Sequence, residues 1–148
     1  MATFLVDTNI LAYAYDPRDP DRQARAAGCL RALAGTRQGA LTAQVLGEFF
    51  WVATRQLDPP FTAQQAERSV TNYARSWPVY PITTQAVLEA VRGVQRYQFA
   101  YWDALIWATA KLNGVLTVLT EDQPSIGLIE AVRFVDPLAP GFDLAQLH

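Results

Sequence analysis

The sequence predicts an α/β fold, with a mostly parallel central sheet flanked by helices, and three observations carry that expectation. Short β-rich runs (FLV, ALT, VLTVLT and VRFV) alternate with longer stretches of helical periodicity, as a sheet joined by crossover helices requires. The 148 residues are 51% hydrophobic and 18% charged, enough apolar material for one sizeable core. Acids also follow two of the β-rich runs directly, and in parallel sheets ligands gather beyond the carboxyl ends of strands. There are no internal repeats and no linker long enough to divide the chain, so residues 1–148 read as a single domain.

In chain order, a strand over Thr3–Val6 leads into a short helix from Thr8 to about Tyr15. The turn DPRDPDRQ opens a second helix, about Asp21–Ala34, which ends at Gly35. A strand over Ala40–Thr42 precedes a long helix, roughly Ala43–Gln56, that LDPP stops. Thr62 is placed to cap a helix running to about Trp77, and PVYPI is a short strand or extended link. Helices follow at about Thr84–Tyr97 and Trp102–Leu112, the latter closed by Asn113-Gly114. VLTVLT and VRFVDP supply the last strands.

Composition excludes several chemistries. Cys29 is the only cysteine, so an internal disulfide and thiol-rich zinc sites are ruled out. The only histidine is the last residue, His148, which leaves no credible base for Ser-His-Asp or His-based hydrolysis. Carboxylates, hydroxyls, Arg or a metal must do any chemistry. The net charge of −2 lends no support to nucleic-acid binding, and eleven Arg against one Lys follow simply from a GC-rich genome. No apolar run approaches the roughly 20 residues of a membrane span, and Asp7 interrupts any signal-peptide core. A soluble cytoplasmic protein is expected, with no membrane partner.

Four acids stand out, each open to an ordinary structural reading. Asp7 ends the first strand; it caps the following helix, worth about 1 kcal/mol, or it belongs to a site. Asp122 follows VLTVLTE, either as a surface loop acid or as a second acid delivered by a strand end. Asp103 lies in YWDALIWATA, where Trp102, Leu105, Ile106 and Trp107 leave no wet face, so the helix reads as buried. The helix dipole favours an anion in that first turn by up to about 1 kcal/mol, which does not offset full desolvation. Solvent in a cleft or a bound cation would. Glu48 shares a helical stripe with Gln44, Trp51 and Arg55, the stripe left over by the core faces Val45/Phe49/Val52 and Leu46/Phe50/Ala53. An ordinary solvated Glu fits that position equally, although Trp51 hints that something covers the face.

Taken in order, the segments FLVDTNILAYAYD, QVLGEFFWVATR, YWDALIWATA and VLTVLTED resemble the PIN-domain ribonucleases, and especially the VapC-type toxins of bacterial toxin–antitoxin pairs. The resemblance covers roughly Thr3 to Pro137. It implies a PIN-like α/β/α domain whose acidic site comprises Asp7, Glu48, Asp103 and Asp122. Asn9 matches the polar residue two positions after the first acid, and Thr120 the hydroxyl residue before the last. Spacing from Thr120 favours Asp122 over its neighbour Glu121. PSIGLIEAV and the tail PGFDLAQLH match nothing in the family.

Charge physics agrees with that reading. Two carboxylates about 4 Å apart repel by about 4 kcal/mol at an effective dielectric near 20, so converging acids need a cation or must partly protonate. Oxygen ligands without His or Cys select Mg²⁺ or Mn²⁺. The expectation is a metal-dependent endoribonuclease in which Asp7 and Asp103 hold the ion while Glu48 and Asp122 handle the attacking water. The resemblance further implies an RNA substrate, products with 3′-hydroxyl and 5′-phosphate ends, a cognate antitoxin, and a homodimer. Trp51, Trp77 and the Phe49-Phe50 pair could supply dimer contacts or could all be core. A housekeeping PIN nuclease without an antitoxin and a non-catalytic RNA-binding module stay open. An aspartate-nucleophile phosphatase would want a second Asp where Asn9 stands.

Overall fold

The computed structural model describes residues 2–122, 124 and 127–148. Six strands form one sheet in the order β3-β2-β1-β4-β6-β5: β1 (Phe4–Val6), β2 (Gly39–Thr42), β3 (Val79–Tyr80), β4 (Thr117–Leu119), β5 (Leu128–Ile129) and β6 (Val132–Val135). All neighbours pair in parallel except β5, which is antiparallel to β6. The chain adds β2 and β3 on one side of β1, then crosses back to lay β4 on the other. β1 and β4 therefore flank the point where strand order reverses, and their carboxyl ends open a crevice there. The amide of Asp7, one residue past β1, donates to Leu119 O at the end of β4 (3.0 Å).

Six helices cover the sheet: α1 (Thr8–Tyr13), α2 (Pro20–Thr36), α3 (Ala43–Arg55), α4 (Ala63–Ser76), α5 (Thr84–Tyr97) and α6 (Tyr101–Leu112). Local sequence fixes most of their starts. Asp19 caps α2 ahead of Pro20, whose ring suits the first helical turn, and Thr42 Oγ1 accepts the Val45 amide at 3.0 Å. Thr62 and Gln65 form a reciprocal capping box on α4, as the expected Thr62 cap requires. Helix α6 starts one residue before the expected Trp102 and has no side-chain cap. Helix α2 runs past Gly35 to Thr36 and stops at Arg37, which takes the left-handed conformation (φ 58°) that a glycine would have signalled.

The core is centred on β1, β2, β4 and α6. Leu5, Val6, Leu41, Val118 and Leu119 are buried, as are Ala104 to Ala110 along α6. Trp107 is fully enclosed; its indole Nε1 donates to Ile129 O (3.1 Å), and Phe99 and Tyr97 meet it edge-on. One expectation for this helix is corrected. Trp102 is 62% exposed, whereas the later residues of α6, Ala104 to Ala110, are buried.

Two further elements were not expected. β5 lies inside the uninterpreted PSIGLIEAV stretch, of which Ser125 and Ile126 lie outside the described residues, and forms a hairpin with β6, the strand expected from VRFVDP. The tail folds into a 3₁₀ turn over Leu144–Leu147 that packs on α2 and buries Leu147. Among the described residues no helix is long and apolar enough to cross a membrane.

Gly93 on α5 faces Trp107 so closely that an added Cβ would stand 2.6 Å from Cζ3 of the indole. Gly93→Ala gains up to about 1 kcal/mol of helix propensity, yet overpacking a rigid buried ring costs about 1–3 kcal/mol. A net loss of stability in urea unfolding is expected; a variant as stable as the parent would show that α5 and α6 separate freely.

Candidate active site at the sheet edge

At the switch point between β1 and β4 a cleft of about 390 Å³ is lined by Asp7, Thr8, Asn9, Gln44, Glu48, Asp103 and Asp122, with Arg18 and Trp102 among its other lining residues. The four expected acids come from four separate pieces of chain: the end of β1, the middle of α3, the first turn of α6 and the loop after β4. Each arrives there for a local reason. Asp7 sits at the N-cap of α1, and its Oδ1 accepts the Thr8 amide at 2.7 Å. Asp7 thus caps the helix through Oδ1 while its second carboxyl oxygen serves a separate contact at the cleft.

The hydroxyl of Thr120, itself buried, organises the β1–β4 side. It donates to Asp7 Oδ2 (2.9 Å) and accepts from Asn9 Nδ2 (3.0 Å) and from the Asp122 amide (3.1 Å). Asn9 completes the tie by accepting the Glu121 amide on Oδ1 (3.2 Å). On the other side, Glu48 Oε2 accepts the Thr8 hydroxyl (2.9 Å) and Oε1 accepts the Gln44 amide (2.8 Å). Every one of these donors is neutral. Among the described residues none of the four acids forms a salt bridge, whereas Asp16, Asp19, Glu89, Glu121 and Glu130 all do.

Glu121 and Asp122, adjacent in sequence, are separated by this criterion. Glu121 is held by Arg22 Nε (2.6 Å) and Tyr13 OH (3.0 Å), while Asp122 lines the cleft. The preference for Asp122 from spacing agrees with where the structure puts the two side chains.

Proton affinities reflect the crowding. Burial pushes the Asp7 carboxyl from 3.8 up to about 6, against the pull of the Thr8 and Thr120 hydrogen bonds, and the charges of Glu48 and Asp103 add to the rise. Asp103 is raised as well, first by burial and then by the charges of Asp122 and Glu48. Among the described residues no three acids close on a single point as a preformed metal cage. The donor chemistry nevertheless fits a hard divalent cation: oxygen ligands only, no cation already paired with them, and two carboxyls whose ionised forms lack compensation.

Three cleft residues had escaped the sequence reading. Arg18 lies in what read only as a turn; it pairs with Asp16 (2.9 Å) and donates to Gln56 O (3.0 Å) at the cleft wall. Gln44 sits one helical turn before Glu48, a spacing visible in sequence but uninformative without knowing that the stripe is covered. Thr8 read as the start of a helix rather than as a partner of Glu48. Trp51, by contrast, is 51% exposed, and Arg55 lies over its ring. Phe50 is exposed too, while Phe49 is core and Trp77 packs at the core's edge beside Tyr73.

A family model for the PIN domain matches residues 4–124. No curated protein sequence matches the chain. Solved structures do. The DNA-bound VapBC of Salmonella typhimurium aligns with a TM-score of 0.66 at 18% identity, covering 93% of this chain and 99% of that one. A toxin–antitoxin complex from Klebsiella pneumoniae gives 0.64 at 21% identity over 93% and 98%. VapC20 of Mycobacterium tuberculosis, a toxin that cleaves the sarcin–ricin loop, gives 0.62 at 17% over 80% and 89%. At such identities the likeness to these structures is one of fold.

The raised Asp7 carboxyl has a pH signature. Folded and unfolded chains both carry the proton below about pH 4; between there and about pH 6 only the fold retains it, so this contribution to stability is lost as pH rises. At about 1.4 kcal/mol per pH unit the loss is at most about 3 kcal/mol. In chelator, Asp7→Asn should therefore gain on the parent progressively from about pH 4 to 6.5 and hold that gain above it. Melting curves of the two proteins that run parallel across this range would show that the Asp7 carboxylate is not desolvated.

Proposed function

The chain belongs to the PIN-domain family, and from that premise we propose that it is a metal-dependent endoribonuclease, the toxin of a toxin–antitoxin pair. The observation that carries this reading is the convergence of four carboxylates, from four elements, on one cleft in which only neutral groups hold them. A structural cluster would be neutralised internally by Arg or Lys. This one is left negative, and so favours a cation.

Asp7 and Asp103 are the residues that would hold Mg²⁺ or Mn²⁺, their raised proton affinities marking carboxyls that a cation would relieve. When bound, such an ion supplies a water of lowered pKa and charge stabilisation at the scissile phosphate. Glu48, with one hydrogen bond fixed on each oxygen, keeps a lone pair on each to orient that water and take its proton. Asp122 is placed to assist, because its backbone is tied through Thr120 to the same network as Asp7. Thr120 and Asn9 hold carboxylate and loop in register and need not touch substrate. Arg18, exposed at the cleft wall, is the cation best placed to meet an RNA phosphate. RNA cut this way would carry 3′-hydroxyl and 5′-phosphate ends.

The partner follows from the same electrostatics. A cytoplasmic nuclease must be silenced in its own cell, and a peptide presenting Arg or Lys would enter the acidic cleft where the ion belongs. Two of the solved structures of like fold are toxin–antitoxin or VapBC assemblies, which supports a cognate antitoxin here. The exposed Phe50 and Trp51 on α3 offer an apolar face for a second copy of the chain.

Purified protein should cleave total RNA with Mg²⁺ or Mn²⁺ and stop with EDTA, and mapped ends should carry 5′-phosphates. Asp7→Asn and Asp103→Asn should each reduce cleavage at least about a hundredfold, the scale of removing one charge-stabilising group. Cleavage undiminished by EDTA overturns the mechanism; metal binding without cleavage would make the protein an RNA-binding module instead. Co-expression with the adjacent upstream reading frame should relieve growth arrest caused by the protein. Absence of toxicity, or of any adjacent protein that binds, would remove the toxin assignment and leave the nuclease standing.

A further inference from the structure

Gln44 is 8% exposed and lies beside the acids, yet it carries no charge and matches no part of the expected site. Its amide nitrogen donates twice, to Glu48 Oε1 (2.8 Å) and to the backbone carbonyl of Trp102 (3.1 Å). Both partners are obligate acceptors, so the nitrogen must face them and the carbonyl oxygen must point away. That oxygen, Gln44 Oε1, is the one buried side-chain polar atom among the described residues with no hydrogen-bond partner. An orphaned buried acceptor is costly, so the two donations that impose it are contacts the fold keeps at the expense of a third.

The double donation has a geometric consequence. Trp102 directly precedes Asp103, and α6 begins without a side-chain cap of its own. Gln44 therefore ties Glu48 on α3 to the one point of α6 from which Asp103 projects. No other side-chain hydrogen bond among the described residues joins α3 to that turn.

We propose that Gln44 is a positioning residue for the cation: by donating to Glu48 Oε1 and to the carbonyl of Trp102, its amide sets the separation of Glu48 from Asp103. Resting on the metal-dependent reading above, the inference adds a residue that holds the carboxylates in place without touching the ion. A neutral amide does so without adding to the repulsion among four carboxylates and without cancelling the charge a cation would meet.

The test is direct Mn²⁺ binding, followed by electron paramagnetic resonance of the free ion and by the metal-induced rise in melting temperature. Gln44→Met retains length and bulk but neither donates nor accepts well. It should bind Mn²⁺ about 10- to 100-fold more weakly, the usual loss when a supporting partner of a metal ligand is removed. In a Glu48→Gln background the same change should cost much less, because a residue acting through Glu48 is not additive with it. If Gln44→Met does not fold, Gln44→Asn, one methylene too short to reach both partners, should show the same weakening. Equal Mn²⁺ affinity of parent and variant, or full additivity with Glu48→Gln, overturns the positioning role alone. A parent protein that binds no Mn²⁺ overturns it together with the nuclease reading.

Discussion

Like charges do not gather on one sheet edge without something to hold them, and this constraint organises the site. The holding groups are hydroxyls and amides: Thr8, Thr120, Asn9 and Gln44 reach the carboxylates or their loops, and no guanidinium or ammonium does among the described residues. Neutral donors fix position without cancelling charge. The uncompensated charge shows instead in the raised Asp7 and Asp103 carboxyls, lifted first by burial and then by the neighbouring acids, a cost that a cation would relieve.

Arg22, Arg92 and Lys111 are engaged with acids away from the cleft, which gives the molecule two distinct electrostatic regimes. Arg92 and Lys111 converge on Glu89 and Glu130, and Tyr97 adds its hydroxyl to Glu130 (2.7 Å), so α5, α6 and the β5–β6 turn are joined by a compensated network. These cations hold the Glu130 carboxyl down at about 2, the opposite of Asp7. Arg22 similarly removes Glu121 from the acidic group. Adjacent acids in one sequence thus acquire opposite roles through a single guanidinium on α2.

Much of this was legible in the sequence, and the exceptions have physical reasons. Strand and helix order follow from alternating runs of β-rich and amphipathic residues; three of the four acids were visible because two follow strands and one interrupts an apolar helix, whereas Glu48 stood out only through the family resemblance. β6 was legible in VRFV, but its partner β5 was hidden because the turn between them uses Glu130 at φ 55°, where an Asn-Gly pair would have announced a hairpin. Trp102 read as core because apolar periodicity does not record which turn of a helix is left uncovered. Thr8 could not be seen as a partner of Glu48, nor Gln44 as a link to Trp102, since contact between α1, α3 and α6 is a property of the crossover connections and not of any local pattern.

The β1–β4 pairing has a consequence for the timing of synthesis. Asp7 precedes by 113 residues the hydroxyl that holds it, that of Thr120, and β4 must slot beside β1 after the intervening residues have been laid down. Contacts so distant along the chain form late, because loop-closure entropy opposes them until the intervening elements are compact. A nascent chain in which β4 has yet to emerge from the ribosome therefore lacks a complete acidic cleft, whatever else of the sheet has already formed.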